Sequence, residues 1–129
     1  MKFGPQSLLK LSECDERLQR VLNEVIKIYD CSVICGHRTE ADQTHAFKSG
    51  MSKVQWPNSK HNSRPSKAVD VTPHPLDWSD LKGFCYMAGI IIGTAASMGI
   101  KLRWGGDFNM NNQLKDEKFV DLPHFELID

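Results

Sequence analysis

The sequence has no excess charge of either sign: 16 Lys and Arg stand against 16 Asp and Glu in 129 residues. Composition therefore offers no basic footprint for nucleic acid, whose phosphates dominate the affinity of proteins that bind it. A long apolar run is also missing. The apolar stretch Phe84 to Ile100 has 17 residues without a charge and is interrupted by Gly, Ser and Thr, whereas a membrane span needs about 20 apolar residues. The N-terminus, Met1-Lys2-Phe3-Gly4-Pro5-Gln6-Ser7, has no apolar segment followed by a small-residue cleavage site, so no secretory signal is expected. Four cysteines are present, Cys14, Cys31, Cys35 and Cys85, and no two have C-x-x-C spacing. That argues against a cysteine-held structural zinc and for reduced, buried thiols. Apolar residues at 40% and charged residues at 25% describe a soluble globular chain, and the length predicts one domain, residues 1–129, around one core.

What is there is periodic. Leu18, Val21, Leu22, Val25, Ile26 and Tyr29 recur at helical spacing and predict an amphipathic helix over residues 13–29, with Ser12 as N-cap. Cys31 to Cys35 predicts a strand. Thr39-Glu40-Ala41-Asp42 resembles a capping box that opens a second helix, ending near Gly50. Residues 51–66 have loop composition. Ala68-Val69-Asp70-Val71 predicts a short strand that Pro73 and Pro75 end. Trp78 or Ser79 opens a long apolar helix whose Gly89 and Gly93 are expected to allow close packing in the core. Ile100 to Trp104 and His124 to Ile128 predict two more strands, separated by a polar loop. The order implies an α+β domain with helices on a small sheet.

Five histidines are scattered through the chain. Two of them have a carboxylate nearby: His61 precedes Asp70 by nine residues, and Asp121 precedes His124 by three. Two imidazoles and one carboxylate leave one position of a tetrahedral zinc open, which is the pattern of a catalytic site. No H-E-x-x-H is present, and His124-Phe125-Glu126 matches only half of the deaminase signature. Spacing alone leaves a metal site and ordinary hydrogen-bonded histidines both open. Asp107 reads as a turn residue, Trp104 as core or groove lining, His74 as solvent-facing, and His37 as no more than a neighbour of the site. His45 reads as a surface partner of Asp42 on its helix. Glu126 falls on the same strand face as His124 and is placed to orient it.

Longer segments are more specific. Ser59 to Pro73, with His61 and Asp70, resembles the first metal motif of the zinc peptidases that share the D-Ala-D-Ala carboxypeptidase and hedgehog fold. Cys35-Gly36-His37-Arg38-Thr39-Glu40-Ala41-Asp42-Gln43 resembles that family's Gly-x-Arg-Ser/Thr element. Trp104-Gly105-Gly106-Asp107-Phe108 and Asp121-Leu122-Pro123-His124-Phe125-Glu126 resemble its two C-terminal elements, in the family's order. Within the family the chain is most similar to compact phage endolysins, which are L-alanyl-D-glutamate peptidases. One departure is local: eight residues separate His61 from Asp70 where many relatives have six, the extra pair being Arg64-Pro65.

The resemblance implies a small antiparallel sheet flanked by helices. It implies His61, Asp70 and His124 as ligands of Zn²⁺, Asp121 as catalytic acid and base, with Glu117 or Glu126 as alternatives, and Arg38 as the group that steadies the substrate carbonyl. The implied partner is the stem peptide of bacterial peptidoglycan, cleaved between L-Ala and D-Glu by a monomer, with neither nucleic acid nor membrane insertion. The implied setting is host lysis by a phage: accumulation in the host cytoplasm, release through a separate membrane pore, and action on the periplasmic wall without a wall-binding module. The rival readings are a D-Ala-D-Ala carboxypeptidase or dipeptidase of the same fold, and a zinc-binding domain without activity.

Overall fold

A computed structural model describes residues 1–113 and 120–129. The chain runs α1 (Pro5–Ser12), α2 (Glu16–Val25), β1 (Cys31–Cys35), α3 (Glu40–Lys48), β2 (Ala68–Pro73), α4 (Leu81–Ser97), β3 (Leu102–Trp104) and β4 (His124–Leu127). All strand pairings are antiparallel, in the order β1-β2-β4-β3. The predicted α+β class is the observed one.

The two faces of the sheet divide the work. Side chains alternate along a strand, and the register lines up Val33 with Val71, Val69 with Phe125, and Leu102 with Leu127. These residues are buried in one core with Leu18, Leu22, Phe84, Met87 and Ile91 of α2 and α4. The opposite face carries Asp70 paired with His124, and Arg103 paired with Glu126. A register shift between Val33 and Cys35 places Cys35, rather than Ile34, opposite Asp70. Such bulges re-aim a side chain next to a site; this one adds a thiol to the polar face.

The helices depart from expectation in several places. A first helix, α1, precedes the predicted one. Its Leu8 and Leu9 are exposed and only Ser7 and Leu11 are buried, so its apolar period is faint; Pro5 in its first turn was the available signal. The helix expected from residue 13 starts at Glu16, because Ser12 ends α1 and Asp15 is the cap, accepting from the Arg17 N–H at 2.9 Å. The glycines of α4 are not packing residues: Gly89 and Gly93 are exposed, and a Cβ at either would meet open space. The buried stripe of that helix is Phe84, Met87, Ala88, Ile91 and Ala95. Thr39 does cap α3, accepting from the Asp42 N–H at 3.2 Å, and Gly50 takes a left-handed φ of +84° just beyond its end.

The end of β3 holds the approach to β4. The Gly105 N–H donates to the His124 carbonyl at 2.8 Å, and the Asp121 N–H donates to the Gly105 carbonyl at 2.8 Å. The chain passes so close that a Cβ on Gly105 would collide with the Asp121 carbonyl. Gly105→Ala is therefore expected to destabilise the protein by about 1–3 kcal/mol and to displace Asp121. Denaturant melts read the first effect; an unchanged midpoint would refute the contact.

Candidate active site

His61 lies in a short 3-10 turn, Lys60–Asn62, closed by a capping box between Ser59 and Asn62. Its ring is buried, and its Nδ1 sits 2.7 Å from the Gly36 carbonyl. A carbonyl only accepts, so Nδ1 carries the proton and Nε2 faces inward. His124 repeats the arrangement with its nitrogens exchanged: Nε2 is 2.8 Å from Glu126 Oε1, and Nδ1 faces inward. The inward nitrogens meet the Asp70 carboxylate. His61 Nε2 is 3.1 Å from Asp70 Oδ1 and 3.2 Å from His124 Nδ1, and His124 Nδ1 is 3.3 Å from Asp70 Oδ1.

That triangle has the dimensions of a metal site. With zinc bonds of about 2.0–2.1 Å, the edge between two tetrahedral ligands is about 3.3–3.4 Å. Each imidazole also has its outer nitrogen tied to an oxygen acceptor, which fixes tautomer and ring plane as ligating histidines require. The donor set therefore fits a zinc ion. Cys35 extends the cluster: its Sγ, a His61 nitrogen and an Asp70 oxygen all lie within 4.8 Å of one another. Its approach to His61 is at Nδ1, at 3.8 Å, on the edge already taken by the Gly36 carbonyl. The two donor sets share His61 and Asp70, and the tighter one is completed by His124.

Electrostatics follow from the burial. Burial by itself would raise Asp70, yet the charge of His61 and the hydrogen bonds from both imidazoles hold its carboxyl well below the usual carboxylate range. Burial would lower both imidazoles, but Asp70 raises His61, while Asp70 and Glu126 raise His124. Asp121 moves the opposite way from Asp70: burial and then the negative charge of Asp70 push it above the ordinary value. Glu126 is held down against its burial by hydrogen bonds from His124 and Arg103, to about 2.

Arg38 borders the same cleft. Its Nη2 is 3.6 Å from Asp70 Oδ2, and its Nη1 donates to Gln43 Oε1 at 3.0 Å. Gln43 is fully buried and donates to Ser52 Oγ at 3.0 Å and to the Val54 carbonyl at 2.6 Å. The guanidinium is thus braced from behind by α3 and the loop that follows it. The cleft has a volume of about 360 Å³ and is lined by Arg38, His61, Asp121, His124 and Glu126 together with Lys60, Arg103 and Phe108.

The sequence-predicted residues His61, Asp70, His124, Asp121 and Arg38 thus come together. Glu126 lies where its strand position predicts, against His124. Arg64 and Pro65, the extra pair, are exposed in the loop before β2 and leave the His61–Asp70 contact intact. Trp104 is core: it is buried, stacks on Phe125 and donates to the Leu122 carbonyl at 2.7 Å. Asp107 acts in a turn, accepting from the Asn112 N–H at 2.8 Å. His74 and His45 are exposed, and the His37 N–H donates to Glu13 Oε1. Glu117 lies outside the described residues. Sequence reasoning missed Cys35, which it placed among the buried thiols, and also Gln43, Lys60 and Arg103. Cys35, Gln43 and Lys60 lie inside the family-like segments without a ligand or catalytic assignment, and Arg103 lies just before one. The strand period that places Glu126 also places Arg103, its partner across β3 and β4.

Comparison with known proteins gives this geometry a family. The chain is 31% identical over 136 residues to the L-alanyl-D-glutamate peptidase of Escherichia phage T5, covering 98% of each protein. Its fold matches the crystal structure of the L-Ala D-Glu endopeptidase ChiX of Serratia marcescens with a TM-score of 0.77 at 25% identity, over 98% of this chain and 90% of that one. The model of the phage L-alanyl-D-glutamate peptidase family matches residues 1–128, and the chain belongs to that family.

Proposed function

We propose that this chain is a zinc-dependent endopeptidase that hydrolyses the L-Ala–D-Glu bond of the peptidoglycan stem peptide. The observation that carries the reading is the His61–Asp70–His124 triangle, whose two imidazoles turn their anchored nitrogens outward and their free ones inward. His61 Nε2, Asp70 Oδ1 and His124 Nδ1 would hold the ion. Zinc, when bound, supplies a Lewis acid that makes water a competent nucleophile near neutral pH. Asp121 takes the proton of the attacking water and passes it to the departing amine; its raised carboxyl suits both tasks. Arg38, held by Gln43, donates to the scissile carbonyl oxygen as negative charge develops there. Glu126 keeps the His124 ring in register and adds negative charge behind it.

The setting follows from the reading: a single peptidase domain that acts as a monomer, accumulates in the host cytoplasm and reaches the wall after the membrane is permeabilised. The described residues contain no helix long and apolar enough to cross a membrane. Mass spectrometry of Gram-negative peptidoglycan digested with and without a chelator tests the chemistry. Peptides with a new N-terminal D-Glu, absent after metal removal, are expected. Loss of a terminal D-Ala would transfer the chain to the carboxypeptidase reading, and no cleavage despite bound zinc would favour a binding domain.

Glu126→Gln keeps the shape and removes the charge. It is expected to weaken metal affinity by about 10–100-fold, as loss of such supporting carboxylates does. A chelator-competition titration measures this, and an unchanged affinity would dismiss the role of Glu126.

A further inference from the structure

The cleft has more cations than its proposed chemistry uses. Among its described lining residues, Lys60 and Arg103 lie beside Glu126 and have no part in that chemistry. Arg38 is placed beside Asp70 on the β1 side. On the far side, Arg103 Nη2 is 2.7 Å from Glu126 Oε2, and Lys60 Nζ is 3.5 Å from the same oxygen. The other oxygen of Glu126 is taken by His124. One carboxylate therefore serves two cations and an imidazole, and among the described residues the β3 side of the cleft keeps a positive surplus. Arg103 is the better placed of the two cations for a second partner. Its side chain is 38% exposed, its guanidinium lies 5.8 Å from the Phe108 ring centroid, and Lys60 is further committed to the Leu127 carbonyl.

The sheet sets where the two flanks lie. Arg38 contacts Asp70 on β2, and Arg103 contacts Glu126 on the adjoining β4, two residues beyond the His124 that pairs with Asp70. His61, Asp70 and His124 lie between them. A peptide lying across the strands would have its scissile bond over that cluster and its next functional groups over Arg103. The chemistry of the substrate supplies a match. A glutamyl residue has two carboxyl groups and continues the chain through one of them. The other is left free within a few bonds of the scissile nitrogen.

We infer that Arg103, supported by Lys60, is the receptor for the free carboxylate of the D-glutamyl residue, and that this contact selects acidic over amidated substrates. The inference rests on the L-Ala–D-Glu reading above. It sets the direction of the bound peptide as well: alanyl side toward Arg38, glutamyl side toward Arg103.

The test uses two synthetic L-alanyl-D-glutamyl peptides continued through the γ-carboxyl, identical except that the α-carboxylate is free in one and a primary amide in the other. Wild-type protein loaded with zinc should favour the acid by about tenfold or more in kcat/KM, mostly through KM, as expected for a charge-assisted hydrogen bond. Arg103→Gln should shrink that preference to within about threefold, and Arg103→Lys should restore part of it, since Lys keeps the charge but not the planar fork. A wild-type preference near one overturns the inference. So does an Arg103→Gln variant that falls equally on both peptides, because Arg103 would then only brace Glu126. If the wild type cleaves neither peptide, the reading of the activity itself fails and the subsite with it.

Discussion

Asp121→Ala is expected to bind zinc as the wild type does and to lose about 10²–10⁴-fold in kcat, the range set by removal of a general acid–base group. The argument comes from two carboxylates in one cleft with opposite tendencies. Asp121 is raised by burial and by Asp70, so it can both take and return a proton. Glu126 is held down near 2 by His124 and Arg103, with both oxygens occupied, and is a poor acceptor. Environments that push two such groups apart assign their roles. Asp121 is not part of the His61–Asp70–His124 triangle, so its loss spares metal binding. Zinc content by mass spectrometry and single-turnover cleavage of a stem peptide measure the two properties separately. Near-wild-type turnover in Asp121→Ala would move the proton transfer to another group.

The site was legible in the sequence to the extent that it lies in short motifs. His61, Asp70, Asp121 and His124 fall in segments whose order and local spacing survive a two-residue insertion, because Arg64 and Pro65 are absorbed in an exposed loop. Glu126 was legible from strand period alone. What the sequence did not reveal depends on register and long-range packing. Cys35 faces the cluster only because of the register shift after Val33, which no local pattern announces. Arg103 meets Glu126 only because β3 pairs with β4, and Gln43 reaches Arg38 only because α3 folds back on the loop at Ser52 and Val54. In the fold, the helix starts were misplaced where a competing cap existed. Asp15 outcompetes Ser12, and Asp80, which accepts from the Gly83 N–H at 3.0 Å, starts α4 later than Trp78 or Ser79. The glycines of α4 show the limit of motif reading: Gly89 and Gly93 have the spacing of a packing pair, yet a Cβ at either would meet none of the described residues.

His61→Ala should abolish both zinc binding and hydrolysis, and it should also destabilise the protein without any metal. The imidazole is 1% exposed and is the main positive neighbour of a buried carboxylate. Removing one partner of a buried ion pair costs about 3–5 kcal/mol, because the other charge is left uncompensated. The pH dependence separates this from simple cavity formation. Against the penalty of its burial, Asp70 raises His61 from 6.5 to about 10 in the folded protein. A group raised on folding contributes its full stability below its unfolded pKa and loses it as pH rises through the folded value. Asp70, lowered on folding, contributes above its unfolded value of 3.8. In the presence of a chelator, the gap in unfolding free energy between wild type and His61→Ala should therefore be widest between about pH 4 and 6.5. It should then narrow as pH approaches 10. A gap that is constant across that interval would mean that the cost is lost packing alone, and that the charge on His61 contributes nothing to holding Asp70 in place.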